Sequence, residues 1–223
     1  MVDNDYVKNL ENIIQRMLTP LKDIPFPLVI KAISGHEVVP FNPSDTEDSQ
    51  LLDQIESAVI TAGNQMVLDG VYAKRVNEIG NAVEPFVRDA LNKIGLNADT
   101  PSDKNGKKQA TGYPDLCIRK NGKTHYIECK TYNENTENTS QRSFYLSPSD
   151  KFKVTEDGHH FVVSYQMVRI GSNGFKGDRY KPVHWRILSL DKLSVDVKYE
   201  FNTDNKELYS RENGLILKEG SIN

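Results

Sequence analysis

Around one dipeptide, Asn121-Gly122, two short runs of alternating residues face each other, and no other feature of the chain limits its fold so tightly. Residues 116–120 and 123–131 have the period of strands, and Asn-Gly supplies the two positive φ values that a type I′ turn demands. A two-residue turn pairs Lys120 with Lys123, which sets Asp115 opposite Glu128. Directly opposed side chains on one face have Cβ atoms about 4.5 to 5.5 Å apart. The period of 2 adds Lys130 to the same face. Two like charges opposed in this way repel, so a cation is expected between them, and a hard divalent ion with oxygen ligands is the economical one. The same register sets Cys117 on the Asp115 face and Cys129 on the other, which rules out a disulfide between them within the hairpin. No further Cys or His pair completes a zinc set, and two cysteines in all suit a reducing compartment.

The rest of the chain is read outward from this hairpin. At 223 residues, 37% hydrophobic and 26% charged, it suits one compact domain or a domain with a helical extension. No apolar run approaches the roughly 20 residues of a membrane span. Asp3 and Asp5 lead into no apolar segment of a secretory signal, so the expected location is the cytoplasm. Tyr6, Val7, Leu10, Ile13, Ile14, Met17 and Leu18 form the stripe of an amphipathic helix that calls for a packing partner. Five prolines make 20–48 an irregular connection, and a second helix starts with Asp48 or Ser49 as its cap. A third apolar stripe runs from Ile79 to Ile94 and stops at Gly95, with Pro85 inside it, so that helix either begins near Asn81 or kinks. A polar loop over 97–113 carries Lys104, Lys107 and Lys108. Further strands are expected at 161–170, 183–190 and 193–201, with His159-His160 flanking a turn. Helices followed by a hairpin-led sheet give an α/β fold: a helical N-terminal portion over 1–70 and a core over 71–223. Charge is uneven. Residues 97–186 hold 15 basic against 10 acidic side chains, whereas 1–96 hold 8 against 14; a basic middle is compatible with a polyanionic partner without specifying one.

Pro114-Asp115, twelve residues, then Glu128-Cys129-Lys130 resembles the signature of the PD-(D/E)XK nuclease superfamily, which includes many type II restriction endonucleases, junction resolvases and repair nucleases. The resemblance covers residues 76 to about 170. It implies a restriction-endonuclease-like mixed central β-sheet flanked by helices. It also implies Mg²⁺ held by Asp115, Glu128 and the backbone carbonyl of Cys129, with Lys130 either activating the attacking water or acting as a charged clamp on the phosphate. The family pattern carries a further acid on the preceding helix; Glu84 matches it, Glu78 is the alternative, and a capping role for Glu84 with Asn81 is the purely structural reading. The implied activity is Mg²⁺-dependent cleavage of double-stranded DNA by a type II restriction enzyme, a homodimer that cuts both strands, with residues 1–70 serving dimerisation or DNA contact. A junction or repair nuclease of the same superfamily and a non-catalytic DNA-binding module are the rival readings. Candidate DNA contacts are Lys107 and Lys108, Gln141 and Arg142, and Lys176 and Arg179, since such side chains bind phosphates or base edges.

Overall fold

The computed structural model describes residues 4–19, 21–74, 78–137, 139–140, 143–149 and 151–199, with positions 203, 212, 215 and 218. The chain divides into two compact units, Met1–Asp23 with Val195–Asn223, and Ile24–Ser194.

In the first unit, helix α1 (Asn4–Met17) forms where the apolar stripe predicts it. The stripe is exposed, however, with Tyr6 at 60%, Leu10 at 44% and Ile13 at 45%. Strands β1 (Leu21–Pro25) and β7 (Ser194–Val197) pair in a two-stranded sheet of their own. Of the last expected strand, Ser194–Val197 is paired and belongs to this sheet, not to the five-stranded one, while 200 and 201 lie outside the described residues.

The second unit corrects the reading of 20–48 as irregular. Pro27 sits at the start of helix α2 (Phe26–Ser34), where a missing N–H costs nothing because the first helical donors have no partner anyway. Helix α3 (Thr46–Asp69) is capped by Asp45, not Asp48 or Ser49: the Asp45 carboxylate accepts from the N–H groups of Glu47 and Asp48. Helix α4 runs Ile79–Lys93 with Pro85 inside it, and Gly95 follows at φ +83° as expected. Pro85 gives no N–H to the Asn81 carbonyl, a defect of about 3 kcal/mol in a helix interior. Burying Val83, Val87 and Leu91 returns about 1.5 to 3 kcal/mol each, so packing wins.

The central sheet has the order β2-β6-β5-β4-β3, from β2 (Val71–Ala73), β3 (Leu116–Lys120), β4 (Lys123–Tyr132), β5 (His160–Asn173) and β6 (Gly177–Ser189). β4 and β5 are parallel; the other pairs are antiparallel. The β3–β4 hairpin turns at Asn121 (φ 52°) and Gly122 (φ 75°), with Lys120 opposite Lys123 and Leu116 opposite Ile127, the register read from the sequence.

Alternation along the strands gives two cores. Ile127, Cys129, Phe161, Val163 and Tyr165 pack against α3 and α4, and the Tyr165 hydroxyl donates to the Val59 carbonyl of α3 at 2.7 Å. Tyr126 and Val162 join a second cluster with Phe26, Ile30, Tyr113, Phe152 and Val154. His159 and His160 are buried at the start of β5, not exposed beside a turn. His159 bridges the Val39 carbonyl and the Asp48 carboxylate, both at 2.9 Å, and His160 meets the Tyr113 hydroxyl at 2.6 Å. Burial pulls the pKa of His160 down to about 3. The resulting mixed sheet, flanked by helices with an N-terminal helix, is consistent with the restriction-endonuclease-like architecture the sequence implied. Among the described residues no helix is long and apolar enough to cross a membrane.

The chain reaches β5 through a tight approach at Gly158. A Cβ there would lie 2.1 Å from the Thr124 carbonyl oxygen. Gly158→Ala is expected to destabilise the protein by about 1 to 3 kcal/mol, the usual cost of overpacking, seen as a lower urea midpoint; an unchanged midpoint would contradict the packing described.

Candidate active site

Asp115 immediately precedes β3, and the ladder brings it to the Glu128 end of β4 without a bulge. The Asp115 Oδ2 accepts the backbone N–H of Cys129 at 2.8 Å, which fixes the carboxylate at the mouth of the hairpin. Glu128 is only 5% exposed. Its Oε1 meets the Lys130 ammonium at 2.7 Å, while its Oε2 is buried without a hydrogen-bond partner. Burial raises the Glu128 pKa and the Asp115 charge adds to it, with Lys130 opposing. Asp115 is raised by burial too, held back by the Cys129 N–H and by Lys130. A buried carboxylate oxygen without a partner is costly, and the Glu128 Oε2 is such an oxygen although Lys130 holds its Oε1.

Glu84 points from α4 into the same cavity and feels the Asp115 charge, though burial is the larger cause of its raised pKa. It is ion-paired with Arg88 one turn on, and Arg88 also reaches the Thr100 hydroxyl at 3.3 Å. Asn81 does not cap this helix, which starts two residues earlier. Cys129 is buried in the helix-facing core, and both cysteines are free.

Asp115, Lys130, Glu84 and the Cys129 residue line one open cavity of about 700 Å³. Lys107, Lys108, Lys176 and Arg179, four of the proposed DNA contacts, are not among the residues that line it. Lys107 and Lys108 are exposed in the polar loop, where Lys108 pairs with Asp99 at 2.5 Å. Lys176 sits over the Tyr72 ring at 5.2 Å, and Arg179 is half-buried against Gly70 with its Nε unpartnered. Gln141 and Arg142 lie outside the described residues.

Sequence reading missed Lys153. Only 1% exposed, it donates from Nζ to the Gln109 carbonyl at 3.1 Å. Its charge acts on Asp115, Glu128 and Glu84; burial lowers its own pKa, and those carboxylates resist the shift. Nothing in Phe152-Lys153-Val154 signals this, because lysines are almost never buried unless paired.

The oxygen chemistry suits a small divalent ion. The buried Glu128 carboxylate with its orphaned oxygen, the half-buried Asp115 carboxylate and the adjacent Cys129 carbonyl are hard donors of the kind Mg²⁺ takes. Among the described residues no three His, Cys, Asp or Glu side chains converge on a point, so water and substrate oxygens would complete such a shell.

Lys153→Met is expected to lower the melting temperature of the metal-free protein, since removing one partner from a buried charge cluster leaves the others uncompensated. Added Mg²⁺ should restore part of that loss by binding the folded state; a variant as stable as the parent without metal would refute the role assigned to this charge.

Comparison with known proteins agrees with the geometry. Residues 20–212 match the family described as type II restriction enzyme MjaV. The chain is also 35% identical to the type II restriction enzyme MjaV of Methanocaldococcus jannaschii over 238 aligned positions that cover all of both chains. A match over most of the length, together with paired carboxylates and a lysine at the mouth of one hairpin, makes this chain a member of the MjaV family of type II restriction enzymes.

Proposed function

We propose that this enzyme is a PD-(D/E)XK nuclease that hydrolyses phosphodiester bonds of double-stranded DNA at a specific sequence with Mg²⁺ as cofactor. The observation that carries this reading is the buried Glu128 carboxylate with its unpartnered oxygen, opposed to the half-buried Asp115 and beside Lys130 on the wall of an open cavity. Asp115, Glu128 and the Cys129 carbonyl would hold the ion. Bound there, Mg²⁺ supplies polarisation of the scissile phosphate, a lowered pKa for a coordinated water and stabilisation of the leaving oxygen.

The chain's own groups supply the rest. The N–H of Cys129 keeps Asp115 in place through its Oδ2, leaving the second carboxylate oxygen for the ion. The Lys130 ammonium, one quarter exposed and ion-paired with Glu128, lines the cavity, where it would either activate the attacking water or clamp the anionic phosphate. Lys153 supplies a buried positive charge that offsets the acids before substrate arrives. Glu84 adds negative charge on the α4 side, moderated by Arg88.

Cutting both strands of a duplex calls for two such sites, and a two-fold dimer is the simplest arrangement that provides them. The exposed apolar stripe of α1 supports this reading, with residues 1–70 as the portion that serves dimerisation or DNA contact.

With plasmid and Mg²⁺, the parent should give discrete fragments. Asp115→Ala should lower the rate by at least about a thousandfold, equivalent to roughly 4 kcal/mol of transition-state stabilisation; equal cleavage by both proteins would reject the site. Sedimentation equilibrium should give twice the 25.3 kDa chain mass, and Ile13→Asp should shift it toward the monomer. A parent that sediments as a monomer while cutting both strands would remove the dimer.

A further inference from the structure

The sheet face that carries Glu128 and Lys130 continues past the acids. The register runs Lys130 to Ser164 on β5 and Ser164 to Arg186 on β6, so the three residues lie on one rung. Neighbouring strands are about 4.8 Å apart, which puts the Arg186 backbone about 10 Å across the sheet from that of Lys130. Both side chains line the same cavity, and they are the cationic residues among the described residues of its lining. The Arg186 guanidinium lies over the Tyr132 ring, 5.1 Å from its centre, and is ion-paired with Glu137 in the turn after β4. Tyr132 also lines the cavity, and its hydroxyl is buried without a hydrogen-bond partner.

We propose that Arg186 clamps a DNA phosphate next to the one being cut, and that Glu137 occupies the place of that phosphate in the free protein. The inference rests on the nuclease reading of the cavity and adds a substrate contact to it. The Tyr132 ring beneath the guanidinium helps hold it at the cavity wall before an anion arrives. Glu137 gives one carboxylate oxygen, Oε1, to Nη2 of the guanidinium fork, an anionic contact that a phosphate oxygen can take over. Arg186 is 43% exposed and Glu137 29%, and ion pairs at such positions contribute little to stability. Arginine binds phosphate bidentately and with charge assistance. A duplex that brings several phosphates to the cavity displaces one weakly held carboxylate readily, and the departure of Glu137 also removes a negative charge from the path of the backbone. No part of the sequence announces this, because Glu137 and Arg186 are 49 residues apart and neither belongs to a motif.

The test is equilibrium binding of a fluorescently labelled duplex, followed by anisotropy, with Ca²⁺ replacing Mg²⁺ and with salt varied. For the parent, the logarithm of affinity should fall linearly with the logarithm of salt. Arg186→Ala should reduce that slope by about 0.9, the share of one phosphate contact. Arg186→Lys should keep the parent's slope at lower affinity, since it retains the charge and loses the fork. Glu137→Gln should tighten binding about threefold, in keeping with release of a weak exposed ion pair. A residue that merely braces the turn would leave the salt slope unchanged, and loss of its partner would not tighten binding. An unchanged slope in Arg186→Ala, or weaker binding by Glu137→Gln, overturns the clamp while a parent that cuts DNA leaves the nuclease reading intact. A parent that neither binds nor cuts DNA at any salt overturns both.

Discussion

The interaction on which the rest depends is the repulsion between Asp115 and Glu128, held together by a two-residue turn. In a bulge-free ladder the two carboxylates have no freedom to separate, and burial raises the pKa of each. The surroundings answer that strain with positive charge on two sides. Lys130 meets Glu128 directly from the cavity, and Lys153 acts on both acids from the interior. What remains uncompensated is one buried oxygen of Glu128, and a divalent ion is the natural complement to it.

The sheet makes this arrangement possible by treating its faces differently. On one face α3 and α4 cover the strands, and Ile127, Cys129, Val163 and Tyr165 form the larger core. On the other, a smaller cluster around Phe26 and Tyr113 covers the end near Tyr126 and Val162, and the cavity opens beyond it at Lys130, Ser164 and Arg186. Glu128, Lys130 and Arg186 therefore stand on a sheet floor whose reverse side is packed. Sites on strands are held more closely than sites on loops, and here the floor is anchored further by the Tyr165 hydroxyl on the Val59 carbonyl.

Much of this was legible in the chain. The hairpin, its register, the opposed faces of Cys117 and Cys129, helices α1 and α4, and Gly95 as the stop of α4 all follow from local period and turn chemistry. Local reasoning failed where distant segments decide the outcome. Proline-rich 20–48 looked irregular, yet Pro27 stands at a helix start that packs Phe26 and Ile30 into a core built mostly by later residues. His159 and His160 looked like turn residues, but their partners are Asp48, Val39 and Tyr113.

The sequence by itself determined the hairpin that carries the paired acids, because a type I′ turn and a period of 2 are properties of a few adjacent residues and leave no choice of which acids face each other. Only the tertiary structure decided what surrounds them. Lys153 becomes part of the acid cluster because Phe152 and Val154 are drawn into a core beneath it, and Arg186 shares a rung with Lys130 because β5 pairs in parallel with β4 and antiparallel with β6. Those neighbours are separated by tens of residues along the chain. Their meeting is set by which apolar faces pack together, and no local pattern encodes it.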